Sequence, residues 1–376
     1  MRILVVGAGL SGAVYARILA EAGHAVSVIE KRAHIAGNCF DELHSSGVRV
    51  HRYGPHLFHT SNQQVVDWLS RFTEWTPYQH RVVVQTADGR PLPMPINLDT
   101  INGFFGLNLE NKEQVESLLL KISEKIEPVV SAEDYLFNVI GKELTQTFFA
   151  PYTRKMWGLG LAEMDASVVR RLQIRYDRED RYFPNDSFQG LPKFGYTEMF
   201  KNIFNHSSIE VVLEQNFEKS FLVEYDYCFN AMPIDEFFDY EFGELPYRSI
   251  KFHNQARHFS EAPRDVTVNY CDDGNFTRET WWHNIPGHRV LTSDTVVVTF
   301  EEPCDYRNNK MERYYPVKTH DGRHQNTFKM YKELAERHGG IEFIGRCGTY
   351  QYLDMHQVVN QSLVGASKWL LRHGVR

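Results

Sequence analysis

Cysteine is scarce and scattered in this chain of 376 residues. Its five residues, Cys39, Cys228, Cys271, Cys304 and Cys347, form no C-x-x-C pair. That argues against a disulfide framework or a zinc site and for free thiols in a reducing compartment. Positive charge is not in excess either. With 41 Lys and Arg against 48 Asp and Glu the net charge is −7, so no general attraction to nucleic acid or to an anionic membrane is expected. No apolar run reaches the ~18 residues of a membrane span, and no repeat or low-complexity tract is visible. An apolar strand starts directly after Met1 with no h-region and cleavage site, so a cytoplasmic protein without a secretion signal is expected. There is no serine nucleophile elbow and no H-E-x-x-H. His56 and His59 have no cysteine or acid beside them to complete a ligand set, and no metal is expected.

What is present begins at the N-terminus. Ile3-Leu4-Val5-Val6 is a short apolar run, followed at once by Gly7-Ala8-Gly9-Leu10-Ser11-Gly12. A helical stretch from Ala13 to Ala22 ends at Gly23, and a second apolar strand, Ala25 to Ile29, ends in Glu30. Gly7 permits the sharp turn, Gly9 the close approach of a pyrophosphate, and Gly12 the packing of helix on sheet. The helix N-terminus offers unpaired N–H groups and partial positive charge to a phosphate. An acid at position 30 suits a ribose hydroxyl and argues against a 2′-phosphate, which favours NAD or FAD over NADP.

The chain is long enough for two or three domains. Residues 81–87 read as a strand and Asp88-Gly89 as a hairpin turn. From Leu98 to Trp157 the pattern is helical. Val115, Leu118, Leu119, Ile122 and Ile126 share one helix face, and Pro128 closes it. Strands return at Ile209–Leu213, Val266–Tyr270 and Val296–Phe300. A strand at Ile341–Gly345 and a helix from about Met355 to Leu371 finish the chain. The expected fold is α/β: a Rossmann-like dinucleotide domain interrupted by a helical insert and an antiparallel sheet, with the substrate cleft where the inserts face the cofactor. The 19 Tyr, 25 Phe and 6 Trp suit either core packing or stacking on a flavin and a base, and composition leaves both open. Arginines recur beside tyrosines: Arg170, Arg171 and Arg175 near Tyr176 and Tyr182, then Arg278, then Arg346. Planar guanidinium groups donate in pairs to diphosphates.

Several blocks together resemble the prokaryotic UDP-galactopyranose mutase family. They are Gly7 to Val14, His34-Ile35-Ala36-Gly37-Asn38, Tyr53-Gly54-Pro55-His56-Leu57-Phe58-His59-Thr60, Pro95-Ile96-Asn97-Leu98, Tyr152-Thr153-Arg154-Lys155-Met156-Trp157-Gly158, Phe188-Gln189-Gly190, Tyr314-Tyr315-Pro316 and Gly345 to Met355. The resemblance covers nearly the whole chain. It implies FAD, active when reduced, whose N5 attacks the anomeric carbon of a nucleotide-sugar. UDP-galactopyranose would thereby become UDP-galactofuranose with no net redox change. It also implies a homodimer, an electron donor of unspecified identity, and a role in cell-surface polysaccharide synthesis. The implied domains are 1–77, 193–236 and 318–376 for FAD, 97–172 helical with a substrate lid near 165–182, and 78–96, 173–192 and 237–317 for the sheet.

By the same resemblance Arg175 and Arg278 bind the diphosphate and His56 lies close to the flavin ring; these are the catalytic candidates. Phe148, Tyr152 and Trp157 would form an aromatic wall near the uridine, with Thr153, Tyr182, Tyr314 and Tyr352 also facing substrate. Gly7, Gly9, Ser11, Gly12, Glu30, Lys31, Asn38, His56, Arg346, Tyr352, Asp354 and Met355 would hold the cofactor. Glu301 matches a downstream acid. Three departures stand out. The family usually has Gly-Gly-Asn where this chain has Ala36-Gly37-Asn38. His80 replaces an asparagine, and Glu279-Thr280-Trp281-Trp282-His283 replaces an acid followed by a histidine. His80 and Trp281 are therefore expected beside the sugar, in a bulkier and less polar pocket. Such a pocket would suit another nucleotide-hexose, such as the 6-deoxy dTDP-fucopyranose or an N-acetylated sugar. A flavin oxidoreductase of the amine-oxidase kind is the rival class.

Overall fold

Residues 1–170, 174–290 and 293–374 are described by the computed structural model. Arg171 and the expected domain boundary at 172–173 lie outside them.

Strands Arg2–Val6, Ala25–Ile29, Ile209–Val212, Tyr227–Asn230 and Ile341–Phe343 make a five-stranded sheet that is parallel throughout. Arg2–Val6 is central, between Ala25–Ile29 and Tyr227–Asn230. Ile3, Leu4 and Val5 are fully buried, so both faces are covered, as a parallel sheet requires. Helix Leu10–Glu21 and the C-terminal helix Met355–Arg372 pack together beside this sheet. Gly12, Ala13, Ala16 and Ala20 let the first helix come close; Val359, Ala366 and Trp369 fill the space from the second. The loops that follow the first two strands, where a nucleotide binds in such folds, carry the glycines and Glu30.

A second sheet has seven strands, in the order Tyr315–Pro316, Tyr247–His258, Thr295–Asp305, Arg278–Trp281, Thr267–Tyr270, Val82–Gln85 and Pro91–Met94. It was expected to be antiparallel, and it is so except where Thr267–Tyr270 meets Val82–Gln85, which run parallel. Those two strands come from separate excursions of the chain, so no tight turn dictates their direction. The hairpin through Asp88-Gly89 forms as expected, with Gly89 at φ +83°. Phe188–Pro192 does not join this sheet. It pairs instead with Phe58–Thr60 and Trp75–Pro77, beside the parallel sheet.

The helical part comprises Leu98–Phe105, Lys112–Ile122, Ala132–Leu144 and Ala150–Trp157, the last two joined by a π-helical turn at Thr145–Phe149. Asn97, Asn111 and Ser131 cap the first three, each side chain accepting a first-turn amide. The second helix stops at Ile122 rather than running to Ile126. Ser123 is extended, and the Ile126 amide donates to the Asn138 side chain instead. Pro128 therefore lies in the following loop. Among the described residues no helix is long and apolar enough to cross a membrane.

Candidate active site

The cofactor side is built from backbone approaches. Gly7 has φ +100°. A Cβ on Gly12 would sit 1.9 Å from the Gly7 carbonyl oxygen, and one on Gly37 would sit 2.9 Å from Gly9 Cα. Gly9 precedes the first helix without a side-chain cap, so the first-turn amides stay available to an anion. Glu30 is buried. One carboxylate oxygen accepts the Ala8 N–H and the other the Arg32 N–H, each at 2.9 Å, and each keeps a further lone pair for a ribose hydroxyl. Gly345 closes against Ser11, where a Cβ would lie 2.5 Å from Oγ. Asp354 caps the C-terminal helix in a capping box with Gln357, and the Cys39 thiol lies 3.7 Å from Met355 Sδ. Asn38 accepts from Arg32 at 3.0 Å. Arg346 has a buried Nε with no partner. A cradle that side chains would fill, an uncapped helix start and an unpaired buried guanidinium nitrogen all fit a dinucleotide pyrophosphate.

Lys31 is exposed; its neighbour Arg32 is the residue turned inward. Arg32 pairs with Glu312 and lies over the Tyr53 ring at 4.4 Å. The sequence signal for it was only its place in a polar run after Glu30. Ala36 adopts φ +74° and is fully buried, which explains why the family's usual residue there is glycine.

His56 donates from Nδ1 to the Gly54 carbonyl at 2.9 Å, which leaves Nε2 as an acceptor in the neutral ring. Its backbone N–H donates to His51 Nδ1 at 3.1 Å. Burial, opposed by that carbonyl and reinforced by Arg346, brings the His56 pKa down to about 4.

On the substrate side Arg278 is the organising cation. Its Nε donates to Asn269 Oδ1 at 3.1 Å and its Nη2 to the Tyr152 hydroxyl at 3.3 Å, and Nη1 lies 3.7 Å from Glu301 Oε1. Despite burial, which alone would lower it, the Arg278 pKa is raised by Glu301 and by Tyr152. Tyr315 stacks on Tyr352 at 5.4 Å, Trp157 lies 6.2 Å from Tyr315, and Arg346 covers both tyrosine rings. Tyr315 interacts electrostatically with both Arg346 and Arg278. Arg278 and Arg346 thus flank one cluster of aromatic rings. Thr153 is buried one helical turn before Trp157. His80 is buried beside Tyr78 and Tyr182. Burial, and then Arg278 and His59, press its pKa down to about 3.

Four expected positions fall elsewhere. Tyr314 turns away from the Tyr315 cluster toward Tyr53, Phe252 and Arg32, since adjacent residues of an extended segment point oppositely. Trp281 is two-residue alternation at work again: Arg278 and Thr280 share one face, and Trp281 lies on the other, packed on Val296, Val298 and Phe300. Phe148 is 2% exposed and packs on Phe104 in the helical core. Arg175 does not reach Arg278. Its guanidinium donates to the carbonyls of Glu179, Arg181 and Tyr182 in its own loop. His59, weighed from the sequence only as half of a metal pair, is bonded to Asp186 at 2.6 Å and stacked on Phe183 at 3.4 Å, distant partners with no local sequence signal. Among the described residues no group of three or more potential ligands could hold a metal.

The chain is similar to known proteins over nearly its whole length. Residues 147–352 match the family model GLF, UDP-galactopyranose mutase, and residues 5–72 match a model for an NAD(P)-binding Rossmann-like domain. A dTDP-fucopyranose mutase of Escherichia coli is 34% identical over 377 residues, 98% of either chain. A probable UDP-galactopyranose mutase of Klebsiella pneumoniae is 36% identical over 373 residues, 98% of this chain and 94% of that one. A crystal structure of reduced UDP-galactopyranose mutase shares the fold, with TM-score 0.77 at 18% identity over 99% of this chain and 96% of that one. A putrescine oxidase variant shares it more distantly, with TM-score 0.59 at 13% identity over 99% and 100%. The dinucleotide of this cradle is accordingly FAD. Matched end to end by relatives above 30% identity, and over more than half its length by the family model, this chain belongs to the UDP-galactopyranose mutase family and is a mutase.

Proposed function

We propose that the chain interconverts the pyranose and furanose forms of a nucleoside-diphosphate hexose, with UDP-galactopyranose as its first candidate. The observation that carries this reading is Arg278, half-buried, with Tyr152, Tyr315 and Tyr352 gathered between it and Arg346 on the cofactor side. When bound and reduced, FAD supplies nucleophilic chemistry at the sugar rather than hydride transfer. Arg278 receives the negative charge that gathers on the diphosphate as its bond to the sugar breaks. Its anchors, Asn269 and Tyr152, hold it in place beforehand, so little reorganisation is needed during the reaction. Neutral His56 would offer Nε2 as an acceptor to the bound cofactor. Arg175 serves the lid between 165 and 182, and reaches the diphosphate only by exchanging its three carbonyl partners. Reduction by an external donor, a homodimer and a polysaccharide pathway belong to the same reading.

A second substrate, dTDP-fucopyranose, is favoured by His80. This neutral, buried ring near Arg278 offers less hydrogen bonding than an amide. The relative named for that sugar is about as similar as the one named for UDP-galactopyranose. With Trp281 facing away, His80 alone carries this argument. The test is kcat/KM for both sugars with dithionite-reduced enzyme. A preference for the 6-deoxy sugar selects the second substrate. Oxygen consumption with amines, and no furanose from either sugar, would select an oxidase instead.

A further inference from the structure

We propose that Glu301 is the proton-accepting counter-ion of Arg278, taking up one proton from solvent when a substrate diphosphate engages that arginine and returning it on release. This rests on the reading that Arg278 receives the diphosphate. The two residues are directly paired across neighbouring strands, with Nη1 and Oε1 3.7 Å apart. Glu301 is 4% exposed and its Oε1 is buried without a hydrogen bond. Its carbonyl accepts the Thr277 amide at 2.9 Å, so its backbone is fixed in the ladder.

Every element around Glu301 confines it. Arg278 faces it from one neighbouring strand, and Phe252 lies opposite on the other. Tyr152 and Tyr315 interact with it electrostatically. Gly54 closes the remaining side: a Cβ there would be 3.2 Å from Oε1. The next titratable group on that loop, His56, is turned to the Gly54 carbonyl. Arg278 is therefore the cation that balances the carboxylate, and burial already raises the carboxyl pKa against it. A diphosphate brings two further negative charges to the same guanidinium. A carboxylate this deeply buried relieves that repulsion by protonation. Binding that consumes a proton strengthens as pH falls, by up to ~10-fold in Kd per pH unit.

The experiment is calorimetric titration of the oxidised, FAD-loaded enzyme with UDP-galactose and with dTDP-fucose, in two buffers of different ionisation enthalpy, between about pH 5 and about pH 8. The diphosphate diester of either ligand keeps its charge over that range, so the ligand contributes no proton. The expected result is net proton uptake with Kd rising with pH, and neither effect in Glu301→Gln, which still binds. His80→Gln keeps the uptake. If Glu301→Gln loses its FAD, wild type and His80→Gln decide alone: uptake persisting in both supports Glu301, and its loss in His80→Gln overturns the proposal. Binding without proton uptake in the wild type, or undiminished uptake in Glu301→Gln, also overturns it while leaving the diphosphate reading intact. Failure of both ligands to bind the wild type overturns that reading itself.

Discussion

Arg278 shows what a single residue does here. A guanidinium held by an amide oxygen and a phenol before substrate arrives is worth most where charge develops. Arg278→Ala is expected to lower kcat by ~10²–10³ while FAD absorbance stays native; near-normal turnover would remove it from the chemistry. Arg278→Lys keeps charge but loses the fork, and is expected to recover little. Ala36 makes the opposite case, a residue that costs stability. Its φ of +74° is disfavoured for an L-residue by ~1–2 kcal/mol, partly offset by the entropy that glycine loses on folding. Ala36→Gly is expected to raise stability by ~0.5–1 kcal/mol in denaturant titration, and a lower midpoint would contradict this account.

At the scale of elements, the loop from Ile174 to Tyr182 is tied down along its length. The Arg175 amide donates to Ile96 O, the Leu98 amide to Asp177 O, and the Tyr182 amide to His80 O. Asn97 Nδ2 donates to Glu179 O, and His59 clamps the segment just beyond through Asp186 and Phe183. Arg175 closes the loop from within by satisfying three carbonyls. Arg175→Ala removes the guanidinium from the Arg181 and Tyr182 carbonyls and leaves Glu179 O only its bond from Asn97, so amide exchange across residues 177–182 is expected to quicken in the ligand-free protein. Unchanged exchange would mean that the staple carries no weight. Element boundaries were legible where local chemistry set them, as at Gly23 and the Asp88-Gly89 hairpin. They were not legible at Ile122, where a tertiary bond from Asn138 takes the backbone. The partners of Phe188–Pro192 were equally hidden, because pairing of distant strands leaves no local mark.

Across the whole molecule, buried histidines link the sheet to the cofactor side. Burial first, with neighbouring positive charge second, brings His80 down to about 3. Burial, opposed by a carbonyl, brings His56 and His288 to about 4. His51 is lowered well below its usual range by burial. In the unfolded chain each binds a proton below ~6.5. Above that pH both states are neutral and stability is intact. As pH falls from there toward about 4, the unfolded state takes protons that the folded state refuses, so stability is lost. The midpoint in urea is expected to drop steadily across that window, and a flat profile would contradict the burial of neutral rings. The three-part architecture was readable because period and glycine spacing are local signals. The nucleotide cradle was readable where the motif itself dictates geometry: backbone at Gly7 and Gly9, and the carboxylate of Glu30 at the end of the next strand. The substrate side was misread where the face of a strand decides. Tyr314 and Tyr315 differ by one step, as do Trp281 and its neighbours, and one step reverses which side a residue serves.

The central claim is that this flavin site, framed by Arg278 and Arg346, performs a ring contraction without net oxidation. The measurement that tests it most directly is anaerobic incubation of dithionite-reduced protein with UDP-galactopyranose and with dTDP-fucopyranose, followed by separation of pyranose from furanose. The account predicts furanose from at least one of them, formed only by the reduced protein and over many turnovers per flavin. No furanose from either, or a product more oxidised than the starting sugar, would contradict it.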